Sequence, residues 1–134
     1  KVLDLEVCNA ARGKSDYTFV YDKILSKNCT GSSCHQADSS DPMAALLPFD
    51  DKELAYASLV GAPSRIEQEL LIVAPGKPRE SYMLYLMQTV TEDEFDLPVN
   101  EPPDEVGFMP RSNSALCCQK LQAVEDWVSA GAMP

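Results

Sequence analysis

The chain has one histidine, one tryptophan and six glycines in 134 residues, and aromatic side chains make up only 7% of it. With His35 as its sole imidazole, it cannot build a site from paired histidines. Long apolar runs are missing too. The longest, such as "LLIVA" at 70–74, fall far short of the ~20 residues that a membrane-spanning helix needs. Basic residues are missing from 80–110, where eight carboxylates (Glu80, Glu92, Asp93, Glu94, Asp96, Glu101, Asp104, Glu105) stand without a Lys or Arg. The remainder is nearly balanced, with 11 basic and 13 acidic residues, and the formal net charge is −10. Such a balance argues against binding nucleic acid or an anionic membrane surface, since phosphate contacts need basic groups. The acidic stretch reads either as a solvated loop or as a docking surface for a basic partner.

What is abundant is proline, ten residues, and cysteine, five: Cys8, Cys29, Cys34, Cys117 and Cys118. The length fits one domain. A small, loop-rich domain commonly needs a disulfide, a metal or a buried cofactor to hold it together. The cysteine content favours an oxidising compartment, and the odd count leaves one thiol over if all pair internally. The sequence opens at Lys1 without a signal peptide. It reads as a mature or trimmed product, so the missing leader says nothing of location.

Periodicity predicts a mainly α chain. Residues 1–14 read as an irregular arm and 15–134 as the domain. A first helix is expected over 15–28, capped by Ser15 or Asp16, with Tyr17, Val20, Tyr21, Ile24 and Leu25 on its apolar face. A second is expected over 50–61, capped by Asp50 or Asp51 and stopped by Gly61, and a third over 78–90 with Pro78 near its start. The last is expected over 114–131, capped by Ser114 and ended by Gly131, with Cys117, Leu121, Val124 and Val128 on one face and Trp127 beside it. Residues 30–42 are turn-rich, and 91–113 read as a long acidic loop containing "GFMP" at 107–110. A loop of that length in a compact domain is usually functional or disordered.

The chemistry concentrates in "NCTGSSCHQA", residues 28–37. A zinc site would need a second close ligand pair, and the adjacent Cys117 and Cys118 are a poor one. Cysteine nucleophilic catalysis would need a base aimed from elsewhere, and the only histidine is Cys34's own neighbour. A local Cys29–Cys34 disulfide is sterically possible. The remaining reading is covalent haem: Cys-x-x-Cys-His attaches c-type haem through two thioethers and places the histidine under the iron. Here the spacer is "TGSS", a Cys-x4-Cys-His variant in which Gly31 would help the turn.

With "YTFVYDKILSKNCTGSSCH" (17–35), "LPFDDKELAYASLVGAPS" (47–64), "VAPGKPRESYMLYLM" (73–87), "GFMP" (107–110) and "VEDWVSAGA" (124–132) in this order, the chain resembles class I monohaem cytochromes c. In particular it is similar to the envelope cytochrome c-like domains of myxobacteria and planctomycetes. The resemblance implies an all-α, cytochrome c-like fold of about four to five helices around a covalently bound haem, with long loops. It implies one haem c, held by Cys29 and Cys34, with His35 and Met109 as axial ligands of the iron, and Tyr56, Tyr82, Tyr85 and Phe108 as candidates for the pocket wall. It further implies a disulfide from Cys8 to Cys117 or Cys118, and Trp127 packed on the first helix. The implied function is electron transport in the periplasm or another extracytoplasmic space, without enzymatic activity and with a redox partner protein that is basic. The competing expectations are a haem enzyme or gas sensor with an open distal site, and a non-haem, disulfide-stapled binding module linked to copper.

Overall fold

The structure, a computed structural model, describes residues 5–31, 34–110 and 116–134. Its helices are α1 (Leu5–Ala10), α2 (Tyr17–Phe19), α3 (Ser26–Asn28), α4 (Pro42–Ala45), α5 (Lys52–Leu59), α6 (Tyr82–Leu86) and α7 (Cys118–Ser129). A π-helix, Val20–Leu25, joins α2 to α3 without a break, and a 3₁₀ turn, Pro78–Glu80, precedes α6. Among the described residues no helix is long and apolar enough to cross a membrane.

The expected all-α, cytochrome c-like fold of a few full helices around a covalent haem is corrected. The chain is helix-poor: among the described residues only α7 and the continuous helical stretch 17–28 exceed eight residues, and irregular backbone connects the remaining short helical pieces. The reason lies in residues 61–81. Gly61, at φ +72°, ends α5, and Pro63, Pro75 and Pro78 deny the backbone a continuous helical ladder. The apolar stretch 70–74 instead runs extended and is bonded on two sides. Gly61 N–H donates to Val73 (2.9 Å) and Ile72 N–H to Ala62 (2.7 Å), while the carbonyls of Leu71 and Ile72 accept from Tyr82 and Met83 (both 3.0 Å). These bonds satisfy a buried backbone without making a sheet; the pairings are isolated bridges.

The first helical stretch matches its sequence pattern. The Asp16 carboxylate accepts from Phe19 N–H at 3.0 Å, and Tyr17, Val20, Tyr21, Ile24 and Leu25 are all buried. In α5 the capping residue is Asp51, which accepts from Leu54 N–H at 2.9 Å. The helix expected over 78–90 is cut down to α6 because Ser81 is extended and its hydroxyl is otherwise engaged. It accepts from Ala74 N–H (2.8 Å) and donates to the Lys77 carbonyl (2.9 Å). The arm expected to be irregular holds α1. The buried face of α7 is turned from the one expected: Lys120, Ala123, Val124, Trp127 and Val128 are buried, whereas Leu121 is half-buried. The expected cap Ser114 lies outside the described residues.

Cys8 of α1 is joined to Cys117, immediately before α7, by a disulfide that spans 109 residues of sequence. Trp127 packs its ring 5.1 Å from that of Tyr17, and its indole N–H donates to the Met133 carbonyl at 2.9 Å. Core contacts from α7 to the first helical stretch therefore run through aromatic rings. The acidic loop is pinned by buried Phe95 and Val106. It opens with a reciprocal turn in which Thr91 N–H donates to the Glu94 carboxylate (2.9 Å) and Glu94 N–H to the Thr91 hydroxyl (3.3 Å).

Candidate cofactor site

Backbone hydrogen bonds tie Cys29, Gly31, Cys34 and His35 together. Cys29 N–H donates to the Leu25 carbonyl, so the thiol is delivered at the end of a helix; then Cys34 N–H returns to Gly31 and His35 N–H to Cys29, each bond 3.0 Å. The last bond holds the His35 backbone against that of Cys29 despite the four-residue spacer between the two cysteines. Gly31 takes φ +153°, which favours glycine. Ser32 and Ser33 lie outside the described residues. Cys29, Cys34 and Cys118 are free thiols, and Cys29 and Cys34 form no local disulfide. Among the described residues no three His, Cys, Asp or Glu side chains converge to hold a metal ion.

His35 is held from both ends of its own residue. Its Nδ1 lies 3.0 Å from the Leu47 carbonyl. A carbonyl can only accept, so Nδ1 carries the proton, and in the neutral ring Nε2 is left as the basic nitrogen. The His35 carbonyl accepts from Phe49 N–H at 2.9 Å, and the two rings lie 4.7 Å apart. Phe49 is fixed in turn by the Tyr21 hydroxyl, which donates to its carbonyl at 2.8 Å. Burial lowers the pKa of His35, opposed by the carbonyls of Leu47 and Ala44 and by Asp41. The imidazole is therefore neutral at neutral pH, the state in which it can ligate a metal. Leu47 and Phe49 were not expected to act here. A backbone carbonyl has no side-chain signature, and the signal available was only the Leu-Pro-Phe segment preceding α5.

Burial pushes the Cys29 thiol up to about 12, with Cys34 adding to the rise and Lys120 opposing it. Lys120 is itself only 5% exposed, and its ammonium donates to the Asn28 side-chain carbonyl at 3.0 Å. Met109 sits beyond Gly107, which takes φ +68°. Its N–H donates to the Leu86 carbonyl at 2.7 Å, tying the loop to the end of α6.

Cys29, Cys34, His35 and Met109 all line one cavity of about 710 Å³ with a mostly apolar wall. That volume is within the range of small-molecule and cofactor sites. Of the four aromatic wall candidates, Tyr82 lines it. Tyr56 packs elsewhere, with its hydroxyl donating to Ala132 at 2.7 Å and its ring 5.1 Å from Tyr17. Tyr85 and Phe108 pack on each other at 5.6 Å, outside the cavity lining. Met43, Met83 and Met87 also line the cavity, so the wall carries more thioethers than the sequence reading assigned.

These residues fit a covalently held haem. The wall offers two unpaired thiols, one neutral imidazole with a fixed tautomer, and thioether sulfurs in an apolar space. Comparison with family models, curated proteins and solved structures finds no match. The resemblance to cytochromes c therefore rests on the motifs alone.

Proposed function

We propose that the chain is an electron-transfer protein that carries one haem covalently. The carrying observation is the meeting of Cys29, Cys34, His35 and Met109 at a single apolar cavity. In this reading Cys29 and Cys34 would hold the group by thioether bonds, and His35 and Met109 would ligate its iron. The haem, when bound, supplies a one-electron iron couple. The Leu47 carbonyl and the Phe49 ring orient the imidazole, and hydrogen bonding to Nδ1 makes Nε2 a stronger base. The Met109 thioether, as a ligand, would raise the reduction potential relative to nitrogen ligation. Were both His35 and Met109 to ligate the iron, the site would favour electron transfer over substrate binding at the metal.

The Cys8–Cys117 disulfide supports an extracytoplasmic, oxidising location, and the cation-free segment 80–110 suits a redox partner that presents Lys and Arg. A second reading has one observation in its favour: Met43, Met83, Met87 and Met109 share the cavity with two thiols, a soft donor set suited to Cu(I).

The test is the intact mass and absorption spectrum of protein produced with a haem-maturation system. The expected result is one haem that survives acid–acetone extraction, with a sharp α band on reduction. A bare polypeptide mass ends the proposal, and a bare mass plus copper replaces it with the second reading.

A further inference from the structure

Lys120 occupies a position that suits a lysine poorly. It lies in the first turn of α7, the end of a helix that favours anions. Only 5% of it is exposed, although lysine is among the side chains least often buried. Taking an ammonium out of water is costly, and an apolar side chain of similar volume would fill the space without that cost. The charge is therefore the feature of this residue that calls for a use.

The fold aims that charge at the attachment turn. The Lys120 N–H donates to the Cys117 carbonyl at 3.1 Å, which fixes its backbone just after the bridge to α1. Its ammonium donates to the Asn28 side-chain carbonyl at 3.0 Å, across 92 residues of sequence. Asn28 is the last residue of α3, at the carboxyl end of the helical stretch 17–28, and that end favours a cation. Asn28 and the next residue, Cys29, both line the cavity, whereas Lys120 does not. The ammonium thus stands one side chain behind the wall, inside protein. There its charge acts on an occupant of the cavity with little screening by water or salt.

Resting on the haem reading, we propose that Lys120 sets the reduction potential of the bound group, its buried ammonium behind Asn28 favouring the state that holds one more electron. Adding an electron lowers the positive charge at the iron, and a fixed positive charge nearby favours that change. The electron comes from the redox partner, and no bond to Lys120 forms or breaks. Lys120 acts through space: it ligates nothing and does not touch the group.

The experiment is a spectroelectrochemical titration of the haem-loaded native chain, Lys120→Met and Lys120→Arg, beside urea unfolding of the same three chains without haem. Lys120→Met should shift the equilibrium toward the ferric form by about three- to tenfold, a fall of about 30–60 mV for one electron. Lys120→Arg should keep the native potential. Lys27→Gln is the control, because Lys27 is exposed and two residues before Cys29. Its effect should be smaller and should vanish in about 0.5 M salt, while that of Lys120→Met persists. An unchanged potential in Lys120→Met overturns the proposal, and a lowered urea midpoint beside it would mark a purely structural role. An equal fall in Lys120→Arg, or an effect of Lys120→Met that salt abolishes, overturns it too. If Lys120→Met does not fold, Asn28→Asp decides: it sets a carboxylate against the ammonium and should lower the potential, and an unchanged value overturns the proposal. Failure of the native chain to take up haem overturns the haem reading, whereas a loaded chain whose potential ignores Lys120 overturns this inference alone.

Discussion

Removing the Cys8–Cys117 bridge by replacing both residues with alanine should be among the most costly changes available outside the core. The bridge closes a loop of 109 residues, which in the chain-entropy account removes about 16 cal/mol/K from the unfolded chain, about 5 kcal/mol at 25 °C. Residual structure in the unfolded state reduces that figure, so a loss of about 3–5 kcal/mol is expected. The assay is urea unfolding of the oxidised native protein and the double variant. With a slope of about 1–3 kcal/mol/M, the midpoint should fall by about 2 M. Cys118→Ala is the internal control, because Cys118 is an exposed, free thiol next in sequence to the bridge, and its midpoint should not move. A double variant that unfolds within about 0.3 M of the native midpoint would show that the staple contributes little. A Cys118→Ala variant as unstable as the double variant would show that Cys8 pairs with the other cysteine.

Ser81→Ala removes the hydrogen bond that this wholly buried hydroxyl accepts from Ala74 N–H and should cost about 1–3 kcal/mol by thermal or urea unfolding; a loss within error would mean that the backbone there finds other partners. Haem-free protein should lose stability in alkali. Burial raises the Cys29 thiol from 9.0 to about 12 and the Tyr82 hydroxyl also to about 12, so the unfolded chain releases these protons first; the stability they contribute is intact below about pH 9 and is lost as pH rises toward 12. A urea midpoint that stays flat from pH 8 to 11 would contradict this. Under mild alkylation, exposed Cys118 should be labelled well before Cys29, and peptide mapping that finds the reverse order would refute the burial of that thiol. In haem-loaded protein, Met109→Ala should abolish the Met-to-iron absorption band while leaving the haem attached; persistence of the band would pass the ligand role to Met83 or Met87.

The parts of the molecule that were legible are those governed by near neighbours. Asp16 and Asp51 announce helix starts because capping acts over three residues, and the burial of Tyr17 through Leu25 follows from helical spacing. Where distant residues decide, local reading failed. Lys120 looks like a solvent-facing position, yet it is buried and bonded to Asn28, 92 residues away. Ser81 reads as an ordinary helix residue until its hydroxyl is seen to serve the 74–77 turn. The short α1 was hidden because six residues carry little periodicity, and it is held by a bridge whose partner lies at the other end of the chain. Within the site, the adjacency of Cys34 and His35 was plain, whereas the Leu47 carbonyl and the additional methionines belong to the cavity only because separate segments close around it.

The acidic loop has a bearing on the protein's life among proteases. Between Arg79 and Arg111 the sequence offers no lysine or arginine, so trypsin-like enzymes find nothing to cut although 96–105 is largely exposed between the buried anchors Phe95 and Val106. A glutamate-specific enzyme meets Glu101 shielded by the proline that follows it and Glu105 without such protection. A cut after Glu105 falls on the tether of Met109, and the severed segment stays joined to the rest of the chain through the Cys8–Cys117 disulfide.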